Sequence, residues 1–189
     1  MDNIIEFFNQ KAATWDKNIP QNGERIKYLL SLLDLSDGDS LLDVGCGTGI
    51  LENFLPENIK TIAIDFSPEM VKIAKNKFPS KDIRVEDFLQ LNTEEKFDKI
   101  IMYNIFPHFL QPYKAFCKAY ELLNPNGMLL ICHGEGRQTI NGRHNAIHNN
   151  ISIGLLPTDE LQQWMLPYFE IVLTEDAENY FALLGRKRG

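Results

Sequence analysis

The stretch Leu41-Leu42-Asp43-Val44-Gly45-Cys46-Gly47-Thr48-Gly49-Ile50-Leu51 is an apolar run that enters three alternating glycines and leaves toward a predicted helix. Glycines at a strand-to-helix turn let the backbone come within van der Waals distance of a ligand, and the helix start offers N–H groups with no intrahelical partner. The details of the loop decide between ligands. A dinucleotide fingerprint, G-x-G-x-x-G, calls for glycine at position 50, where this chain has Ile50, which weakens a nicotinamide or flavin reading. A P-loop calls for Gly-Lys-Ser or Gly-Lys-Thr, and Gly49-Ile50-Leu51 is neither. Asp43, two residues before the first glycine, sets a carboxylate where a cationic part of a ligand is welcome and a pyrophosphate is not.

S-adenosyl-L-methionine carries no phosphate, and its ammonium is the kind of group Asp43 attracts directly or through water. The next apolar run, Ile62-Ala63-Ile64, ends at Asp65, twenty-two residues after Asp43. That is about the interval at which an acidic residue meets ribose hydroxyls in doubly wound folds, and its two oxygens can take both hydroxyl protons. Helix capping beside Ser67 is the competing role. Farther on, Val85-Glu86-Asp87-Phe88 ends a third run, where Asp87 would accept from an adenine amino group with Phe88 packed nearby; a surface turn is the alternative.

Outward from the loop, apolar runs alternate with amphipathic stretches, the pattern of a parallel sheet covered by helices on both faces. Strands are predicted at Ser40 to Val44, Lys60 to Asp65, Asp82 to Glu86, Phe97 to Tyr103, Gly127 to His133, Glu170 to Glu175 and Tyr180 to Gly185. The last two, joined by Asp176 to Asn179, read as a hairpin, so the fold class is α/β: doubly wound, mostly parallel, with an antiparallel edge. Ser67-Pro68-Glu69 starts one helix with a capping hydroxyl and an N1 proline, and Phe78-Pro79 closes it. Pro112 opens another, ended by Asn124-Pro125-Asn126-Gly127, and Leu156-Pro157-Thr158-Asp159 a third. Two helices, near Asp2 to Trp15 and Gly23 to Leu33, precede the first strand.

The 189 residues suit one domain, and 44% hydrophobic with 24% charged residues is an ordinary globular composition. Nothing approaches the ~20 apolar residues of a membrane span, and the opening MDNIIEFFNQ lacks a signal-peptide core, which predicts a cytoplasmic protein with no membrane partner. A net charge of −7 disfavours nucleic acid as a substrate. Cys46, Cys117 and Cys132 match neither a zinc knuckle nor a CxxC pair and read as packed, reduced thiols.

These residues resemble the class I S-adenosylmethionine-dependent methyltransferase family. The resemblance covers roughly Phe7 to Gly134 and rests on LLDVGCGTGIL, AIDFSPEM, VEDF, FDKIIMYNIFPHF and LLNPNGMLLI in that order. It implies a seven-stranded sheet with the last strand inserted antiparallel and the cofactor across the carboxyl ends of the first strands. By matching position it places Asp43, Gly45, Gly47 and Gly49, with Cys46 between them, along the methionine part. Asp65, Phe66 and Met70 fall at the ribose and adenine rim, Asp87 and Phe88 at the adenine amino group, and Asn104 near the transferable methyl. It also implies an N-terminal lid within residues 1–20 that carries Trp15 over the cofactor, although Trp15 would serve equally as a core anchor.

The acceptor side falls on Tyr103 to His108 and His133 to His144, segments that follow strand ends, with an insertion expected at 134–157. All four histidines lie in or beside them, which makes His108, His133 and His144 the candidates for proton transfer. His144 and His148 would share a helix face, and His133 or Glu135 would complete a metal site; the absence of a zinc-protease motif leaves metal out of the preferred reading. Glu135, Arg137 and Asn141 would otherwise orient a polar acceptor. The expected activity is methyl transfer to a small molecule by in-line displacement. The alternatives are transfer to RNA or protein, signalled by a basic patch at Arg137, Arg143 and Arg186, and a non-catalytic cofactor-binding module, signalled by an occluded methyl side.

Overall fold

The computed structural model describes residues 2–18, 22–145 and 151–189. Seven strands, β1 (Ser40–Val44), β2 (Lys60–Asp65), β3 (Asp82–Val85), β4 (Phe97–Tyr103), β5 (Leu123–His133), β6 (Phe169–Asp176) and β7 (Phe181–Lys187), form one sheet in the order β3-β2-β1-β4-β5-β7-β6. Only β7 runs against its neighbours, pairing antiparallel with both β5 and β6. The expected hairpin is therefore present, with its second strand slotted inside its first. The strand order reverses between β1 and β4, which opens the crevice at their carboxyl ends where ligands of open α/β sheets bind.

The helices are α1 (Asp2–Lys11), α2 (Trp15–Asn18), α3 (Gly23–Ser31), α4 (Pro68–Lys77), α5 (Pro112–Leu122), α6 (Arg137–Asn145) and α7 (Thr158–Met165). Leu42, Val44, Ile100, Met102, Leu129 and Ile131 face α5 and α7 through Phe116, Ala119, Leu161 and Met165. On the other face Leu41, Ile101 and Leu130 meet Ile26 and Leu29 of α3. With both sides covered, β1 and β4 read as near-continuous apolar runs, which is why their ends are visible in the residues. Helix α4 starts as its residues dictate: the Ser67 hydroxyl accepts from Met70 N at 3.2 Å and Pro68 occupies N1.

Three local expectations need correction. The glycine loop passes into a four-residue 3₁₀ turn, Ile50–Asn53, and not a full helix, because Leu55 and Pro56 follow at once and the chain must reach Lys60 for β2. The first predicted helix is broken: α1 gives way to a 3₁₀ turn at Ala12–Thr14 before α2. Strand β5 begins at Leu123, which pairs with Phe97, ahead of a register shift and of Asn126 at φ 63°.

Candidate functional site

Gly45, Gly47 and Gly49 all have positive φ (72°, 55° and 84°), a conformation that side-chain-bearing residues enter at a cost. At Gly45 space is also closed: an added Cβ would lie 2.6 Å from the Ile105 side chain. Gly45 N and Cys46 N both donate to Ile64 O, at 2.8 and 3.0 Å, which folds the loop back over the end of β2. That brings Asp65 under it. Its Oδ2 accepts from Gly47 N at 2.9 Å and its Oδ1 from Ser67 N at 2.8 Å, so one carboxylate braces both the loop and the start of α4. Each oxygen keeps a further lone pair for a ligand hydroxyl.

A cavity of about 370 Å³ opens above this loop, a volume in the range of small-molecule sites. Its floor is the strand ends, with Asp43, Gly45, Cys46, Gly47 and Asp65, and its roof is the N-terminal segment, with Phe7, Phe8, Lys11 and Trp15. The far wall holds Tyr103, Asn104, His108, His133, Glu135 and Arg143. Phe66 and Met70 also line it.

Asp43 is 1% exposed, and its Oδ2 accepts no hydrogen bond from any described residue. Burial pushes its carboxyl well above the ordinary range, and the Glu52 and Asp65 carboxylates push the same way. Burial likewise lifts Asp65 to about 6, against the two backbone N–H bonds that pull it down, and holds the Cys46 thiol well above the usual range, in its unreactive form. A buried carboxylate oxygen with no donor is costly unless a ligand supplies one.

On the acceptor side Asn104 sits at φ 58°, its N donating to Cys132 O (2.9 Å) and its Oδ1 accepting from Gly134 N (3.0 Å), which locks the ends of β4 and β5 together. Arg25 donates to Gly134 O at 2.6 Å. The His108 ring lies edge-on to Phe8, with Nδ1 2.9 Å from Ile151 O; a carbonyl there makes Nδ1 the protonated nitrogen. His133 is buried at the end of β5, edge-on to Phe181. Glu135 is paired with Arg143 across the start of α6.

Of the twelve residues expected at the cofactor, nine line the cavity: Trp15, Asp43, Gly45, Cys46, Gly47, Asp65, Phe66, Met70 and Asn104. The other three lie elsewhere. Gly49 packs against Phe78, 3.1 Å from where its Cβ would stand; Asp87 caps a turn through Leu89 N (2.9 Å); Phe88 is in the core beside Phe109. His108 and His133 reach the cavity, whereas the His144 side chain and His148 lie outside the described residues. Among the described residues no group of three His, Cys, Asp or Glu side chains is placed to hold a metal ion. Tyr103 and Ile105, within the segment expected on the acceptor side, flank Asn104 and line the cavity; sequence reasoning missed Glu52, whose fully buried side chain lies 3.3 Å from the Lys81 ammonium. A charged residue three positions past Gly49, in an otherwise apolar Ile50-Leu51 turn, was the available signal for Glu52.

A family model described as a methyltransferase domain matches residues 42–129. The ubiquinone biosynthesis O-methyltransferase of Xanthomonas oryzae pv. oryzae is 32% identical over 130 residues, which cover 62% of this chain and 54% of that protein. The chain spans about half the length of the curated relatives it matches. Among solved structures, the N-methyltransferase NodS from Bradyrhizobium japonicum WM9, in complex with S-adenosyl-L-homocysteine, superposes with a TM-score of 0.77 at 18% identity, over 99% of this chain and 100% of that one. A chain from the complex between the Haloferax volcanii Trm112 methyltransferase activator and a methyltransferase superposes at 0.81 with 17% identity, over 96% and 98%. The strand order with its inserted β7, the three left-handed glycines and the methyltransferase-domain match over residues 42–129 point the same way, to similarity with the class I S-adenosylmethionine-dependent methyltransferase family.

Proposed function

We propose that the protein binds S-adenosyl-L-methionine in the cavity above the glycine loop and transfers its methyl group to a small-molecule acceptor. The observation that carries the reading is Asp43: a buried carboxylate oxygen without a donor, beside glycine N–H groups and a second carboxylate, invites an ammonium and repels a phosphate. When bound, the cofactor supplies a methyl group already activated by its sulfonium charge, which leaves by in-line displacement. Asp43 holds the ammonium, Asp65 accepts from the ribose, and Phe66 and Met70 bound the adenine rim. The roof of Phe7, Phe8 and Trp15 excludes water from the reacting centre. His108, with its proton on Nδ1, presents the other ring nitrogen as the base for an acceptor that arrives protonated.

A small acceptor is supported by the enclosed roof and by a relative that acts in ubiquinone biosynthesis. Transfer to RNA is not favoured: of the three arginines that would signal it, Arg137 and Arg143 are paired with Asp176 and Glu135, which leaves Arg186. Tyr103, Asn104, His108 and Glu135 line the same cavity and are the side chains an acceptor would meet. Incubation with methyl-labelled S-adenosylmethionine and a metabolite extract tests the proposal. Label should appear in a small molecule; label confined to RNA or protein would refute the acceptor class.

A further inference from the structure

Among the described residues, three sets of contacts tie the N-terminal segment to the rest of the molecule. Ile4, Phe8 and Ala12 pack on Met70 of α4, and Phe8 is the hub, meeting Phe7, Trp15, Phe66 and His108 edge to face at 5.0–5.6 Å. Asn9 Oδ1 accepts from the Ser67 hydroxyl at 2.7 Å. The third is a knot around Asp16. Its Oδ1 accepts from the Thr48 hydroxyl at 2.5 Å, its Oδ2 pairs with the Lys77 ammonium, and the same ammonium donates to Thr48 O at 3.3 Å.

Thr48 lies between Gly47 and Gly49, inside the ligand loop, and is 2% exposed. One residue before Asp16, the Trp15 indole nitrogen stands 3.7 Å from where a Cβ on Gly47 would be. Asp16 therefore fastens the roof to the loop it covers, beside the approach of Trp15 to Gly47. Burial alone would raise its carboxyl, but the Lys77 and Thr48 contacts bring it below the ordinary range, so it stays charged in the working range of pH.

We propose that Asp16 is a latch: a positioning residue that, with Thr48 and Lys77, holds the N-terminal roof shut and sets how fast ligand enters and leaves the cavity. The role rests on the cofactor reading above and adds a rate to it. A ligand under a closed roof passes only when the knot opens, so a weaker latch speeds both directions of exchange. A merely structural role predicts otherwise: a loosened site binds more weakly and no faster.

Trp15 and Trp164 are the two tryptophans, so a Trp164→Phe background leaves Trp15 as the reporter. Mixing with S-adenosylhomocysteine, then displacing it, gives both rate constants by stopped flow. In Asp16→Ala and in Lys77→Met each rate should rise about tenfold, the loss expected for a charge-assisted contact, with Kd changing less than either rate. The double variant should rise no further than Asp16→Ala, because both residues act on one knot. An unchanged association rate with weaker binding would overturn the latch. If the unaltered protein binds no S-adenosylhomocysteine, the cofactor reading fails, and acrylamide quenching of Trp15 in the free protein decides the latch instead. Quenching must increase in Asp16→Ala; equal quenching would overturn it.

Discussion

Lowering the pH from about 7 to about 5 should weaken cofactor binding while it strengthens the fold of the free protein, and Asp65 makes both changes calculable. Its carboxyl titrates at about 6 in the free protein, against 3.8 for an ordinary aspartate, because it is buried. Only the ionised form offers the ribose two acceptor oxygens, so one unit below the midpoint about a tenth of the protein is competent, and Kd at pH 5 should be about tenfold that at pH 7. Stability runs the other way. A carboxyl whose folded value is raised contributes stability fully below its unfolded value and loses it as pH rises through the folded one. The shift from 3.8 to about 6 corresponds to about 3 kcal/mol lost from the free protein by neutral pH. Asp43, raised in the same direction by burial, adds to the loss of stability with rising pH. The assay is calorimetric titration with S-adenosylhomocysteine at three pH values, beside thermal denaturation without ligand. In Asp65→Asn the component centred near 6 should vanish from both curves, with weak binding throughout. A Kd that is flat from pH 5 to pH 7, or a slope that survives in Asp65→Asn, would refute the reasoning.

Asp43→Asn should separate folding from function: removal of an unpaired buried charge raises the melting temperature, while loss of the ammonium partner weakens the cofactor by about ten- to a hundredfold, both read by titration with and without ligand. Gly45→Ala forces a side chain into positive φ and against Ile105, so denaturant unfolding should show a loss of about 1–3 kcal/mol together with loss of binding; an unchanged midpoint would count against the loop geometry. His108→Ala should lower kcat by roughly a hundredfold and leave S-adenosylhomocysteine affinity intact, and a pH–rate profile identical to that of the unaltered protein would remove His108 as base.

What could be read from the residues follows the physics of each element. β1, β2 and β4 span the residues expected of them, because each is built on a largely buried apolar run: Leu41-Leu42, Ile62-Ala63-Ile64 and Ile100-Ile101-Met102. The caps of α4 are equally local: Ser67, Pro68 and the Phe78-Pro79 stop act on their own turn. The 3₁₀ turn after Gly49 was not visible, since it reflects the short distance to β2 and not the propensity of Ile50-Leu51. In the site, Asp43, Gly45 and Gly47 were expected at the cavity and line it, the glycines being legible because a close backbone approach leaves few residue choices. Asp87 and Phe88 were assigned from the end of the third run and from the resemblance, with a surface turn as the alternative; Asp87 caps its own turn and Phe88 packs inside. Neither the Asp16 knot nor the Phe8 hub has a local pattern, because both arise when a segment docks across the fold, far from its partners in sequence.

The central claim is that the glycine loop, flanked by Asp43 and Asp65, receives an adenosyl sulfonium and not a dinucleotide. Side-by-side calorimetric titrations of the purified protein with S-adenosylmethionine and with NAD measure this most directly. One molecule of S-adenosylmethionine should bind per chain, with no heat from NAD; saturable binding of NAD with none of S-adenosylmethionine would contradict it.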